Sequence, residues 1–380
     1  MREYLLVFAV AGVVSYLLCV VARELATRTG ATARVRDRDV HDVPIPYFGG
    51  IAMLGGLAAG LLVARHLPFL GKQPQILHDA GIVLVAGALI CAVGAFDDLF
   101  ELDAITKFGG QLVAVGFMVL NGVQFYSISL PVIGQLVLLT SQSVLLTMLM
   151  VAGTVNALNF VDGLDGLAGG IALIGAVAFF VFCYRLAYVN GETLAITAAL
   201  LCAAMGGACA GFLPHNFSPA RLFMGDSGSM LLGLVLSGAT LTLTGQFATV
   251  QLSQGSGLGP PSFLPTLLVF VLPLSILMIP LLDLVLAVVR RTRRGQAFYH
   301  PDKEHLHHRL LEIGHSQRRA VIIMWLWAAL IAFGAVAVSL SSGPLVWSGL
   351  GVGLVVAAGA TFALPRLKRE PVTSVAGGPE

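Results

Sequence analysis

An all-α polytopic membrane protein is what this chain encodes, and three features of the sequence say so. Of its 380 residues, 57% are hydrophobic and 11% charged, where a soluble domain carries about 25% charged residues. The mean hydropathy is +0.88, so the chain has too little polar surface to face water on all sides. Its apolar residues come in unbroken runs close to the roughly 20 residues that cross a bilayer as a helix, not in the alternation of a membrane β-barrel. This composition excludes a disordered chain, a collagen-like fibre and a disulfide-stapled secreted module. The net charge of +2 gives no reason to expect a nucleic-acid partner.

Runs bounded by polar residues, Gly or Pro fall at about 4–21, 49–65, 79–96, 108–120, 143–160, 166–185, 193–213, 228–246, 264–289, 320–340 and 344–364. That makes about eleven transmembrane helices, or ten if the short fourth run does not cross. The first run has no small-residue cleavage site and its basic cluster follows it, so it is expected to be an uncleaved first span. The five cysteines (Cys19, Cys91, Cys183, Cys202 and Cys209) fall inside runs without a C-x-x-C pair. They are expected to pack as small apolar side chains.

Eleven spans put the termini on opposite sides. With the N-terminus outside, only Arg2, Arg65, Lys72 and Arg185 face outward, and the other 18 of the 22 Lys and Arg face inward. That bias predicts N-out, C-in. The acids follow the same side, although the rule does not require it: all but Glu3, Asp79, Glu192 and the intraspan Asp283 fall on inward segments. Any chemistry is therefore expected on the cytosolic face.

Five inward segments carry it. RVRDRDVHDVPIPYFGG places His41 between basic residues and two prolines, ahead of Gly49-Gly50. GAFDDLFELDAITKFGG sets Asp97 beside Asp98, a pair that repels unless water or a divalent cation screens it. In NALNFVDGLDGLAGG, Asn156 and Asn159 share a helical face, and Asp162-Gly163 and Asp165-Gly166 make tight turns. GFLPHNFSPARLFMGDSGSMLLG flanks a proline turn with Asn216 and Phe223, and Asp226 heads a helix whose free N–H groups suit a phosphate. The fifth, RRTRRGQAFYHPDKEHLHHRLLEIGHSQRR, joins an arginine cluster to an amphipathic segment with Leu306, Leu310 and Ile313 on one face and His305, His308 and Arg309 on another. Carboxylates for Mg²⁺, a helix start for phosphate and His/Arg groups for an anion suit phosphoryl transfer from a nucleotide-linked donor to a lipid acceptor. A transporter is the main alternative of another class. It fits less well, because Asp283 is the only carboxylate within a run and no internal repeat is visible.

These five segments resemble the five cytosolic motifs of the polyprenyl-phosphate N-acetylhexosamine-1-phosphate transferases, glycosyltransferase family 4, over about residues 34–320. Within that family the chain is similar to the WecA/TagO-like branch, which transfers N-acetylglucosamine-1-phosphate. The related muramoyl-pentapeptide transferases have three consecutive histidines where this chain has His305-Leu306-His307-His308, and a first-loop lysine near the place of Asp42.

The resemblance implies Mg²⁺ as cofactor, with Mn²⁺ as a substitute, held by Asp226 with Asp97 and Asp98. Asp97, Asp98, Asp162, His305, His307 and His308 would be catalytic. His41, Asn156, Asn159, Asp165, Asn216, Phe223, Arg291, Arg293 and Arg294 would bind substrate, Phe223 by stacking on uracil. His300 departs from the pattern, since relatives often have serine before Pro301-Asp302. It further implies UDP-N-acetylglucosamine and a polyprenyl phosphate as substrates, a bacterial cytoplasmic membrane as location, and a homodimer. Residues 1–365 would form one catalytic membrane domain with active-site loops at 22–48, 97–107, 160–166, 213–227 and 290–319. Residues 366–380 would be a short, polar, disordered cytosolic tail.

Overall fold

The computed structural model describes residues 1–32, 44–130, 134–189, 191–244, 313–340 and 343–362, with isolated positions between 278 and 310. Ten helices are described: α1 (Arg2–Thr29), α2 (Gly49–Ala64), α3 (Pro74–Phe100), α4 (Ala104–Leu120), α5 (Thr140–Val161), α6 (Leu167–Val189), α7 (Leu194–Asn216), α8 (Gly225–Thr244), α9 (Gln317–Leu340) and α10 (Pro344–Phe362). They coincide with ten of the eleven runs expected from sequence. Eight are long and apolar enough to cross a membrane, while α2 and α4, with 16 and 17 residues, are shorter apolar helices. The chain is a helical multi-span membrane protein. The ninth run lies almost wholly outside the described residues, as do Asp283 and the tail.

An antiparallel hairpin, β1 (Ser127–Leu130) with β2 (Gly134–Val137), joins α4 to α5 and was not foreseen. Ser143 fastens it by donating to the Phe125 carbonyl, and the Thr147 hydroxyl accepts from the Phe125 N–H at 3.1 Å.

Helix α8 is the axis of the bundle and is buried along its whole apolar window. Its composition explains how: Gly and Ser let neighbours come close, and each core hydroxyl returns a bond to its own helix. Ser237 donates to Gly233 O at 2.8 Å, Thr240 to Leu236 O at 2.9 Å and Thr244 to Thr240 O at 2.8 Å. No polar group is then left unpaired by burial there. A Cβ at Gly50 of α2 would collide with the backbone of Ser227 and Gly228, and one at Gly94 of α3 with Asp226 and Ser227. Three helices thus meet backbone to backbone at the first turn of α8. Helices α1 and α7 pack through the small-residue pair Gly207 and Gly211, and Ser15 donates to Ala208 O at 2.9 Å across them. All five cysteines are free and buried, as expected from their place in the runs.

At the far end of the chain, Trp325 of α9 lies against Gly170 of α6, where a side chain would not fit. Buried His315 meets Thr361 O at 3.0 Å, and Trp327 donates to the Thr361 hydroxyl at 3.0 Å. These bonds tie the end of the fifth inward segment to α10.

Candidate active site

Four inward segments, far apart in sequence, converge at one end of the bundle. Backbone pairing seats the first on the fourth: Phe223 N–H donates to Pro46 O at 2.9 Å, and Gly49 and Gly50 N–H donate to Phe223 O and Met224 O, both at 3.0 Å. Phe48, in a left-handed conformation at φ 78°, turns the chain so that both glycines face that edge. The fifth segment is fastened nearby, where Arg318 donates to Ser218 O at 2.8 Å.

The second segment is shaped by its own acids. Glu101 ends α3 in a left-handed conformation at φ 49°, and the Asp97 carboxylate accepts from Leu102 N–H at 2.8 Å. Asp103 then caps α4, accepting from the N–H groups of Ile105 and Thr106 at 3.1 Å. These bonds hold its carboxyl below the usual carboxylate range, the Thr106 hydroxyl contributing most. The cap fixes where α4 begins and therefore places Lys107 in its first turn.

Lys107 lies between two carboxylates. Its ammonium is 3.1 Å from Asp97 Oδ2 and bonds directly to Asp226 Oδ2. On the other side Asn159 donates to Asp226 Oδ1 at 2.7 Å and to the Ser229 hydroxyl at 2.9 Å. Asp98 is used differently: its two oxygens accept the N–H groups of Asp226 and Ser227, at 2.8 and 3.3 Å. The start of α8, expected to present free N–H groups to a phosphate, carries a protein carboxylate there instead. A half-buried carboxylate at the positive end of a helix is well placed electrostatically.

Gly225 makes that contact fit. It adopts φ +68°, and a Cβ on it would strike the Asp98 carboxylate. Gly225→Ala should therefore push Asp98 off the helix start and lower turnover about 10-fold or more, an effect measurable with folded protein in detergent. Unchanged turnover would show that the cap is dispensable. The expected size is that of losing one charge-assisted hydrogen bond.

Asp162 closes α5 beside this cluster. Its carboxyl is pushed up to about 8, by burial first and then by the negative charges of Asp226, Asp98 and Asp165. Asp97, Asp98 and Asp226 share this end with one ammonium, and the local charge favours a cation, while Asp162 at its raised pKa is mostly protonated at neutral pH.

Other expected site residues occupy different places. Asp165 and Asn216 are buried, at 4% and 2% exposure. Asp165 accepts from Ala220 N–H at 3.0 Å, while the Asn216 amide accepts from Gly166 N–H at 2.9 Å and donates to Leu222 O at 3.0 Å. Both fasten the 217–224 loop onto the turn after α5. Phe223 is half-buried, its ring 6.1 Å from that of Tyr47. Asn156 lies one helical turn from Asn159 and bonds to Gln111. Arg293 is exposed on a helical stretch. His41, Arg291, Arg294, His305, His307 and His308 lie outside the described residues.

Sequence reasoning missed Lys107, Gln111 and Ser229 as site residues. One signal was available: Lys107 is the only Lys or Arg between Lys72 and Arg185, and it lies among acids.

Residues 80–244, the stretch that contains this cluster, match the family described as glycosyl transferase family 4. The chain is 43% identical over 372 residues to the decaprenyl-phosphate N-acetylglucosaminephosphotransferase of Mycobacterium tuberculosis (strain ATCC 25618 / H37Rv), covering 97% of this chain and 90% of that protein. The protein of the same description from Mycolicibacterium smegmatis is 43% identical, with 98% and 90% covered. The undecaprenyl-phosphate alpha-N-acetylglucosaminyl 1-phosphate transferase of Escherichia coli (strain K12) is 29% identical, with 82% and 77% covered. Identity of this level along nearly the whole chain, together with the family match over residues 80–244, shows that the chain belongs to glycosyl transferase family 4, among its polyprenyl-phosphate N-acetylhexosamine-1-phosphate transferases.

Proposed function

We propose that the protein transfers N-acetylglucosamine-1-phosphate from UDP-N-acetylglucosamine to a polyprenyl phosphate on the cytosolic face of a bacterial membrane, with release of UMP. The observation that carries this reading is the convergence of Asp97, Lys107, Asn159 and Asp226 at one end of a helical bundle. The names of the relatives supply the substrate class, and the 18 inward basic residues supply the orientation.

The donor set fits a hard divalent cation. Mg²⁺ is typically held by one or two carboxylates together with substrate phosphates and waters. Among the described residues no three His, Cys, Asp or Glu form a closed metal cage, while Asp97 and Asp226 already meet across a positive charge. Asp226 with Asp97 would hold the ion, which when bound supplies positive charge to the diphosphate.

The protein groups do the rest. The acceptor phosphate, with a second pKa of about 6, is mostly dianionic at pH 7 and attacks without a strong base. Its oxygen forms a bond to the β-phosphorus, the bridging bond to the α-phosphate breaks, and UMP departs with the electron pair. Lys107 is placed to meet phosphate oxygens, Asn159 orients the Asp226 carboxylate, and Asp98 holds the helix that presents it.

Inverted membrane vesicles with added polyprenyl phosphate should release UMP from UDP-N-acetylglucosamine when Mg²⁺ is present and stop when it is chelated. Sealed right-side-out vesicles should not use external donor. UMP release without lipid acceptor would refute the acceptor, and equal use of external donor by both orientations would refute the cytosolic face.

A further inference from the structure

Beneath the site lies a second polar layer that repeats it one helical turn deeper. Lys107, Asp226 and Asn159 meet at the end of the bundle, on α4, α8 and α5. One turn further along the same three helices stand Gln111, Met230 and Asn156, and these also meet. Asn156 donates to Gln111 Oε1 at 2.9 Å, and Gln111 Nε2 reaches back to Asn156 Oδ1 at 3.5 Å and to the Met230 sulfur at 3.4 Å. Gln111 is 1% exposed and Met230 fully buried. Asn156 also donates to Ala152 O at 2.8 Å, which fixes its rotamer along α5.

An amide pair buried between helices has a defined length and direction, whereas apolar contacts allow a helix to slide or rotate. Here the pair joins α4 to α5, the two helices that deliver Lys107 and Asn159 to opposite oxygens of one carboxylate. A rotation of α4 by a fraction of a turn would carry Lys107 off Asp226, and Gln111, four residues on, is the contact that opposes it. Asn156 does the same for Asn159 three residues away.

We propose that Gln111 and Asn156 are positioning residues: their bond sets the register of α4 against α5, so that Lys107 and Asn159 converge on Asp226. This rests on the transferase reading of the site. It takes Asn156 out of direct substrate contact and adds Gln111, a residue of α4 outside the cluster itself.

The test is a set of variants in purified full-length protein, each compared with wild type by UMP release and by thermal unfolding. Wild-type UMP release reports on the transferase reading, and the ratio of variant to wild type reports on positioning. Gln111→Met keeps length and volume but removes the bond. It should lower kcat about 10-fold with both KM values within twofold, and cost little further when added to Asn159→Ala, because both act on one carboxylate. The exchange Gln111→Asn with Asn156→Gln restores the combined reach and should recover much of the loss. Unchanged kcat in Gln111→Met, losses that multiply with Asn159→Ala, or an exchange no better than either single change would overturn the proposal. Should Gln111→Met fail to fold, Asn156→Ser breaks the bond from the other side and is judged by the same three criteria.

Discussion

Asp226→Asn should lower turnover about 10³-fold, and raising Mg²⁺ should not restore it. Asparagine keeps the shape and its single amide oxygen can still accept from Asn159, leaving its NH₂ towards Lys107. The N–H groups at the start of α8 stay bonded to Asp98, so the fold there is expected to survive. What disappears is a full negative charge at the point where Asp97, Lys107 and Asn159 converge. Each tenfold in rate corresponds to about 1.4 kcal/mol of barrier, and an electrostatic contribution of about 4 kcal/mol is ordinary for a group that supports charge on a transferring phosphoryl unit. Thermal unfolding of the variant separates lost chemistry from lost structure. A folded variant with near-normal turnover would remove Asp226 from the cation site.

Lys107→Met has the second largest expected effect, and its signature differs. The lysine, Asp97 and Asp226 side chains are 20%, 15% and 25% exposed. Removing one partner from a largely buried ionic group costs about 3–5 kcal/mol, because the remaining charges repel without compensation. The variant should be less stable, turn over about 10²-fold more slowly, and bind Mn²⁺ more tightly than wild type, since two carboxylates then face the ion unscreened. Mn²⁺ binding followed by electron paramagnetic resonance, with unfolding temperature with and without metal, reads both effects. If the metal raises the unfolding temperature of the variant no more than that of wild type, Lys107 is not the counter-ion of this carboxylate pair.

Much of the architecture was legible in sequence because burial in lipid leaves few options. Nine of the ten described helices begin and end within about five residues of the expected runs, while α1 continues to Thr29, well past the expected end at 21. Gly, Pro and acidic residues set boundaries, as where Asp103 caps α4 and Pro74 opens α3. The aspartates were legible as a set, because adjacent acids at a membrane surface need a reason. Their division of labour was not. That Asp97 meets Lys107 while Asp98 caps α8 depends on the rotation of α3 about its own axis, and contacts such as Asp98 with Asp226 join residues 128 apart.

Lys107 was read only as one more inward basic charge, because its role exists only once α4 is packed against α8. Asp165 and Asn216 show the opposite difficulty. Polar residues in a specific motif suggest a ligand, yet both are buried and bonded to the backbone of a neighbouring loop, which the sequence around them does not reveal. The β1–β2 hairpin escaped notice because four residues per strand give too little alternation to detect.

The proposed reaction breaks the bond between the two phosphates of the donor, not the bond between sugar and phosphate, and one labelling experiment distinguishes them. Purified protein would be given polyprenyl phosphate, Mg²⁺ and UDP-N-acetylglucosamine carrying ³²P in the β-phosphate. The label is predicted to move into the organic phase together with N-acetylglucosamine, leaving unlabelled UMP in water. Label retained in water as UDP, with the sugar alone transferred to lipid, would contradict the account.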